Sequence, residues 1–446
     1  MFTKVQLKNF LSLVDLDVNF EKKKGIPKSL LLIYGENGAG KTHFVQAFRA
    51  LQLSLSSLPQ GRSIEMMPEK MEIDESVSND MVAVLSKELK NQFVPVSRLA
   101  EIYQTAGTAE PVVMEFDFVL NGYAGTYTLA FDKSGLIHEK LRYALSQRVV
   151  TCFEISGEDI RINKNIFLDR ELLKRARSIQ EDCIGKYSFL SILLYLGSDL
   201  SEAAFKNKVN ANLIQVLEYF HSLCIMVEDS PALRGSACVP KSELAMHLSA
   251  GEIHISQEKE LDEQEEMLNR LLASLNPDIR GVFYKREREA EKVHYQLWFK
   301  KDIYGCVREI DYQKESSGTR QLLQIFPFLI LAVQGETVIL DEFDIDVHDF
   351  LMQQLMQNLE PHITGQLILT THNTSLMETD LPKDSFYILD IDSERRKEMI
   401  PVTDFERIYP SLNLRSRYLA GLYGGGPFSA NPDFSAVSDR YEPESK

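Results

Sequence analysis

The chain has 446 residues and a formal net charge of −16, with 44% hydrophobic and 26% charged residues. These proportions are ordinary for a folded protein with a large core, so they exclude general disorder and a fibrous protein, and the length predicts two or three domains. Because surfaces that neutralise many phosphates are rich in Lys and Arg, the acidic balance argues against general nucleic-acid binding but leaves a local basic groove open.

The N-terminal segment predicts a pair of strands that leads into a buried strand and then a helix. Leu16, Val18 and Phe20 alternate with polar residues, as the inward face of a strand does, and the apolar run SLLLIY follows a Lys-rich turn. The loop GENGAGKT comes next, and the apolar residues of Phe44–Leu51 recur at helical spacing. The order strand, glycine-rich loop, helix is the one that a phosphate-binding loop requires.

The rest of the chain alternates between strand-like and helix-like stretches. Residues 59–90 are polar and turn-rich, which predicts a surface insertion or loop, and Val112–Tyr143 predicts an antiparallel meander. Residues from Asn165 to Asn276 are mainly helical in pattern and His294–Tyr312 is strand-like. A helix with a polar start, Glu315–Val333, then precedes a short apolar strand that ends in two acids.

No stretch of the sequence predicts a membrane span or a secretion signal. The apolar run Leu322–Val333 is shorter than the roughly 20 residues that a span needs. The opening residues predict a strand and not a leader peptide, so we expect a cytoplasmic protein. Five scattered cysteines without CxxC spacing predict neither a disulfide nor structural zinc.

The pattern G-x-x-x-x-G-K-[ST] is matched by Gly35, Gly40, Lys41 and Thr42. In such a loop the backbone N–H groups surround the phosphates, the lysine reaches the β- and γ-phosphates, and the threonine hydroxyl binds Mg²⁺. The sequence therefore predicts that the loop binds ATP or GTP. The candidate nucleotide-binding residues here are Glu36, Asn37, Gly38, Ala39, Gly40, Lys41, Thr42 and His43.

The segment TVILDEFD supplies the acidic groups that a phosphate loop needs for hydrolysis. Asp341, at the end of the apolar strand, is predicted to bind Mg²⁺ together with Thr42, and Glu342 is predicted to deprotonate the attacking water. An acid pair at the end of a strand is often merely solvated or salt-bridged. The phosphate loop earlier in the same chain favours the catalytic interpretation.

Two further motifs resemble those of ABC-type ATPases. Ser316, Ser317 and Gly318, directly before an amphipathic helix, are similar to the signature motif that contacts the γ-phosphate of a nucleotide on the opposite subunit. An ordinary serine N-cap is the alternative for this segment. His372, at the end of QLILTTHN, resembles the switch histidine that senses the γ-phosphate, and Phe343–His348 take the place of the subunit-contacting loop.

Taken together, GENGAGKT, ESSGT, VILDEFD and ILTTHN resemble the SMC-like ABC ATPases of bacterial anti-phage and abortive-infection systems, such as the RloA and AbiL-type ATPases and the AriA subunit of PARIS systems. The segment SRYLAGLYGGGPF is similar to the end of these proteins. The resemblance implies an ATPase that uses ATP and Mg²⁺ in a composite site, and a homo-oligomer that is at least a dimer. It also implies a partner: a separate nuclease effector, with a Toprim nuclease as the leading candidate. Since the sequence shows no second catalytic constellation, we expect ATP to be used to hold this effector, and a phage-encoded trigger protein to free it.

The fold class implied by the resemblance is α/β, a P-loop NTPase of ABC/SMC-like type whose two-lobed ATPase head carries an inserted helical domain. The expected limits are 1–160 for the N-terminal lobe, 161–290 for the helical insertion, 291–410 for the C-terminal lobe and 411–446 for a tail. A DNA-repair or recombination ATPase that clamps DNA is the alternative function, although the chain lacks a long coiled coil. A metabolic kinase also remains open, because the loop alone does not exclude it.

Overall fold

The computed structural model describes residues 1–65, 95–227, 247–275, 278–392, 394–405, 409 and 412–424. The strands in those ranges are β1 (Phe2–Phe10), β2 (Leu13–Asn19), β3 (Glu21–Lys23), β4 (Ile26–Pro27), β5 (Leu30–Gly35), β6 (Val112–Leu120), β7 (Tyr123–Asp132), β8 (Gly135–Ala144), β9 (Val149–Ser156), β10 (Asp159–Ile162), β11 (Cys224–Met226), β12 (Ala250–His254), β13 (Ile279–Glu289), β14 (Lys292–Ile303), β15 (Cys306–Asp311), β16 (Thr337–Leu340), β17 (Gln366–Thr370), β18 (Phe386–Ile391) and β19 (Lys397–Pro401). The α-helices there are α1 (Lys41–Glu65), α2 (Val96–Tyr103), α3 (Arg170–Asp182), α4 (Phe189–Ser198), α5 (Glu202–Lys206), α6 (Ala211–His221), α7 (Glu258–Leu275), α8 (Ser317–Val333), α9 (Asp349–Leu359), α10 (Val402–Phe405) and α11 (Leu414–Leu419).

A six-stranded sheet with the order β11-β16-β17-β5-β18-β19 runs through the middle of the molecule. All of its strand pairs are parallel except that of β19 with β18. Strands of a parallel sheet are covered on both faces, and β5 is buried along its whole length. Leu31 and Ile33 point into one core, whereas Leu30, Leu32 and Tyr34 point into the other. Because its side chains are buried on both faces, β5 is a firmly held strand from which the phosphate loop begins.

The first core lies between the central sheet and a seven-stranded antiparallel sheet with the order β10-β9-β8-β7-β6-β1-β2. The helices α1, α3, α4 and α6 pack into this core. The predicted strand pair, β1 with β2, and the predicted meander, β6 to β8, are both confirmed. Leu16, Val18 and Phe20 are buried on one face, as their alternation predicts.

The second core lies on the other face of the central sheet. It contains the helices α7, α8 and α9 and the small sheet in which β14 pairs with β12, β13 and β15. The predicted strands at His294–Tyr312 and the predicted helix after Glu315 are confirmed. Leu414, Tyr418 and Tyr423 from the C-terminal segment are also buried in this core.

The stretch predicted as a helical insertion contributes to both cores. Its helices α3, α4 and α6 belong to the first core and α7 to the second, while β11 joins the central sheet beside β16. The strands β12 and β13 also lie in this stretch. The four domain limits given above stay a prediction.

A buried carboxylate ties the antiparallel sheet to α4. Glu139 on β8 accepts hydrogen bonds from the N–H groups of Phe189 (2.6 Å) and Leu190 (3.3 Å) and from the hydroxyl of Tyr127 (2.9 Å). Burial raises the pKa of Glu139 to about 7, and the three donors oppose that shift. The first turn of α4 is therefore anchored by a side chain of the sheet.

Two local predictions are wrong. The helix α1 continues to Glu65, so residues 59–65 are not part of a loop, and residues 66–90 of that predicted insertion lie outside the described ranges. Cys224 is disulfide-bonded, so the prediction that no cysteine forms a disulfide fails there. Among the described residues, no helix has both the length and the apolar character needed to cross a membrane.

Candidate nucleotide site

The phosphate loop leaves the carboxyl end of β5 and ends at the first residue of α1, as predicted. Gly38 and Gly40 have φ values of 80° and 117°, a backbone conformation that glycine adopts without steric cost. A Cβ atom added at Gly38 would meet nothing within 4 Å. The loop is therefore open on the side of its tip, and its N–H groups lie at a helix N-terminus, where anions bind favourably.

Lys41 lies beneath this loop and is 5% exposed. Its Nζ donates to the backbone oxygens of Gly35 (2.9 Å) and Glu36 (3.2 Å). Burial lowers the pKa of Lys41, whereas the nearby carboxylates of Glu342 and Asp341 oppose that shift. Because the hydrogen bonds of this buried amine to the described residues go to carbonyl groups, its charge favours an anion in the loop.

Asp341 follows β16 and is 3% exposed. Its Oδ1 accepts a hydrogen bond from Thr370 Oγ1 at 2.5 Å, and the side chain of Thr42 lies close enough to the carboxyl group to lower its pKa. Burial raises the pKa of Asp341, while the two threonines lower it. The predicted metal ligands, Thr42 and Asp341, are thus neighbours in space although they lie in different parts of the sequence.

Glu342 and His372 lie next to one another at the same edge of the sheet. Glu342 Oε1 is 3.9 Å from His372 Nε2, and both side chains are partly exposed. Glu342 has φ +46°, the left-handed region that a non-glycine residue rarely adopts and that is common at functional sites. Its N–H donates to Thr370 Oγ1 at 2.8 Å, which holds this backbone in place. Burial and the charge of Lys41 lower the pKa of His372.

Two threonines that sequence reasoning missed organise these acids. Thr370 bonds to both Asp341 and Glu342, as described above, and Thr371 Oγ1 donates to Asp344 Oδ2 at 2.6 Å. Both threonines are fully buried, and burial raises the pKa of Asp344 to about 6. The signal was present in the sequence as the pair TT directly before His372, because polar residues at the end of an apolar strand require partners.

The predicted signature segment lies at the start of α8. Ser316 is the N-cap of that helix, since its Oγ accepts a hydrogen bond from the N–H of Thr319 at 3.2 Å. Ser317 is exposed, and a Cβ added at Gly318 would lie 2.7 Å from the backbone oxygen of Asp346. In the described part of the chain, these three residues make no hydrogen bond to the phosphate loop. Gly318 therefore packs against the segment Phe343–His348.

His43, which was predicted to contact the nucleotide, contacts Ser12 in the structure. Its Nδ1 lies 2.7 Å from Ser12 Oγ and accepts a longer hydrogen bond from the N–H of Ser12, at 3.3 Å. Burial, together with the charge of Lys397, lowers the pKa of His43. The imidazole is therefore neutral near pH 7 and acts as an acceptor for Ser12.

The residues present fit a nucleotide and Mg²⁺. The open glycine loop, the helix N-terminus and Lys41 supply the donors and the positive charge that a polyphosphate needs. The hydroxyl of Thr42 and the carboxylate of Asp341 are hard oxygen ligands of the kind that Mg²⁺ prefers. A magnesium nucleotide therefore suits this donor set.

A family model described as "AAA domain" matches residues 4–280, which is more than half of the chain. The chain belongs to this AAA domain family. A second model, described as "AAA domain, putative AbiEii toxin, Type IV TA system", matches residues 251–378 of this AAA domain protein, including the acid pair and His372. The predicted α/β P-loop NTPase fold is thereby confirmed, and the protein is an ATPase in the general sense of its family.

Solved SMC heads are also similar to this AAA domain protein. The SMC head domain from Thermotoga maritima is 15% identical with a TM-score of 0.37, and covers 90% of this chain and 98% of its own. An SmcHead bound to the C-winged helix domain of ScpA is 12% identical with a TM-score of 0.47, and covers 91% of this chain and 99% of its own. An Smc head with an extended coiled coil, bound to the C-terminal domain of ScpA derived from Pyrococcus furiosus, is 12% identical with a TM-score of 0.37; it covers 90% of this chain and 95% of its own. No curated protein matches the chain.

Proposed function

We propose that this chain is the ATP-hydrolysing sensor subunit of an anti-phage, abortive-infection system. In this proposal the ATP-bound chains form an oligomer that restrains a separate nuclease effector, and a phage-encoded protein releases the effector by binding the oligomer. The observation that carries the proposal is the convergence of Lys41, Thr42, Asp341, Glu342 and His372 at one edge of the central sheet.

Each of these residues has a role that its contacts support. Lys41 neutralises charge on the β- and γ-phosphates, and Thr42 and Asp341 hold Mg²⁺, which neutralises further phosphate charge when it is bound. Glu342 accepts the proton of the attacking water, and the hydrogen bond from its N–H to Thr370 holds its left-handed backbone in place. His372, neutral at pH 7 because burial lowers its pKa, is able to hydrogen-bond to the γ-phosphate or to Glu342.

A second copy of the chain completes the site in this proposal. The exposed Ser317, in the N-terminal turn of α8, is available to a phosphate on another subunit, as the resemblance to ABC-type ATPases implies. Phe350, near the start of α9, is a large apolar side chain that is 60% exposed. Contact with a second copy of the chain would remove this apolar surface from water. ATP then links two chains, and hydrolysis separates them.

The nuclease partner rests on two further observations. The model that matches residues 251–378 carries a toxin–antitoxin description, which supports a defence function. The resemblance of the motifs to anti-phage ATPases supports an effector on a separate chain, with a Toprim nuclease as the candidate. In this proposal ATP acts as a conformational switch: the ATP-bound ATPase holds the partner, and loss of ATP frees it.

The test is co-expression of the tagged chain with its genomic neighbours, followed by purification and mass spectrometry. We expect a nuclease-like chain to co-purify with wild type and with Glu342→Gln, which retains ATP, and not with Lys41→Ala, which does not bind it. Adding phage-infected lysate to the purified complex should release the effector. Recovery of the chain alone under all conditions refutes effector restraint, and ATP turnover stimulated by DNA, with a steep loss at high salt, favours the DNA-clamping alternative.

A further inference from the structure

A second lysine lies against the outside of the phosphate loop. Lys397 is the first residue of β19 and pairs with Ile391, the last residue of β18. The strand β18 runs parallel to β5, with Leu389 opposite Gly35. Because parallel strands end at the same edge of a sheet, the turn between β18 and β19 lies where the phosphate loop leaves β5.

The amine of Lys397 contacts the part of the loop that Lys41 does not reach. Its Nζ donates to Ser12 Oγ at 2.6 Å and to the backbone oxygen of Gly38 at 3.4 Å. A Cβ added at Gly40 would lie 3.3 Å from the same nitrogen. Lys41, by contrast, bonds to the beginning of the loop. The two amines therefore contact different parts of the loop, Lys41 its beginning and Lys397 its tip and end.

The charge of Lys397 is not balanced within the described part of the chain, where it forms no ion pair with a carboxylate. The neighbouring Arg396 does form such pairs, with Asp392 at 2.8 Å and Glu394 at 3.3 Å. Burial lowers the pKa of Lys397, as expected for a cation that has lost water without gaining an anion. An anion bound beside Gly38 would compensate this cost.

Ser12 and His43 hold the amine in position. Ser12 lies in the turn between β1 and β2, accepts the hydrogen bond from Lys397 and is itself bonded to the ring of His43. Since the N–H of Ser12 donates to His43 Nδ1, that ring nitrogen is an acceptor, and the hydroxyl of Ser12 also donates to it and directs its lone pairs towards Lys397. The orientation of the amine therefore depends on three separate segments of the chain.

We propose that Lys397 binds the nucleotide directly, at the α-phosphate, while Lys41 binds the β- and γ-phosphates. This inference rests on the proposed ATP site. The lysine of a phosphate loop reaches the β- and γ-phosphates, and the loop also surrounds the α-phosphate, so a second amine at a different part of the loop is placed for the phosphate that Lys41 does not bind. A contact at the α-phosphate is common to ATP and ADP, so Lys397 contributes equally to the affinity for both nucleotides.

The first test measures the dissociation constants for ATP and ADP by calorimetry with the full chain. Lys397→Met should weaken the binding of both nucleotides by about tenfold to about a hundredfold, the loss expected for a charge-assisted hydrogen bond. Lys397→Arg should keep most of the affinity. Arg396→Met removes the same charge from the adjacent residue and should leave both constants unchanged. Unchanged binding by Lys397→Met, or a loss confined to ATP, overturns the assignment.

The second test uses wild-type protein, so it does not depend on whether a variant folds. The lysines are labelled with an acylating reagent and counted by mass spectrometry, with and without nucleotide. ATP and ADP should both slow the labelling of Lys397. Lys383, which lies before β18 at the other end of that strand, is the control and should be labelled at the same rate with and without nucleotide. If the protein binds nucleotide but the labelling rate of Lys397 does not change, the role of Lys397 is refuted and the proposed ATP site is not. Wild type that binds no nucleotide refutes the proposed ATP site.

Discussion

The hydroxyl of Thr370 offers a direct test of how the acid pair is held. The replacement Thr370→Val keeps the shape of the side chain but removes the donor to Asp341 Oδ1 and the acceptor for the N–H of Glu342. A hydrogen bond to a charged group contributes about 1.5–3 kcal/mol and a neutral one about 0.5–1.5 kcal/mol, so the local structure should lose about 2–4 kcal/mol. That loss corresponds to a change of about 30-fold to about 1,000-fold in a local opening equilibrium.

Amide hydrogen exchange measures this opening at the Glu342 N–H without requiring the whole chain to unfold in one step. Exchange at Glu342 should accelerate by at least about 30-fold in Thr370→Val and remain close to wild type in Thr370→Ser. The N–H of Leu172, which is capped by Asp169 in another part of the fold, is an internal control. ATP hydrolysis should fall in parallel, because Glu342 is less well positioned. Equal exchange and equal turnover in wild type and Thr370→Val would refute this account of the site.

Four further predictions follow from the contacts described above. Lys41→Ala should abolish ATP binding in a calorimetric assay. Glu342→Gln should still bind ATP but hydrolyse it at least about a hundredfold more slowly, since a general base usually contributes that much. Near-normal turnover of Glu342→Gln would show that Glu342 is not the general base. Ser317→Arg should be inactive by blocking the proposed subunit contact, and mixing it with Lys41→Ala should restore part of the ATP turnover if the site is shared between chains; a lack of recovery argues against a composite site. Glu139 has a pKa of about 7 in the fold and an ordinary value of 4.5. Because the folded state keeps a proton that the unfolded state releases, this group should lower stability by about 3 kcal/mol as the pH rises from about 4.5 to about 7. Melting curves of Glu139→Gln should lack that decline, and an identical pH dependence in both proteins would contradict it.

The elements that carry the motifs were predictable because their chemistry needs fixed residue types at fixed spacing. A phosphate loop must follow a buried strand and open a helix, and the run before Gly35 and the helical spacing after Lys41 satisfy both conditions. The strands before Asp341 and His372 were predictable in the same way, as short apolar runs that end in polar residues. The signature segment was harder, since Ser316 is also an ordinary helix cap in the structure.

The partners of these residues were not predictable, because they depend on which strands lie side by side. Thr370 reaches Asp341 only because β17 pairs with β16 in a register that places Leu369 opposite Leu340. Lys397 contacts Ser12 across 385 positions of sequence, which no local pattern reports. The helices of residues 161–290 belong to both cores for a similar reason: an apolar helix face indicates burial, but not the surface that covers it.

The loop after the acid pair connects the two halves of the proposed composite site within each chain. Thr371, next to His372, holds Asp344 in this loop, and the backbone of Asp346 packs so closely on Gly318 that a Cβ atom there would lie 2.7 Å away. In the proposed function, these contacts connect a movement of the acid pair on ATP binding or loss to the start of α8 in the same chain. In the proposed dimer that helix faces the nucleotide of the other chain, so each site senses the state of its partner site. We therefore propose that the two nucleotides are bound and hydrolysed as a coupled pair, which would give the oligomer one shared signal with which to hold or release an effector.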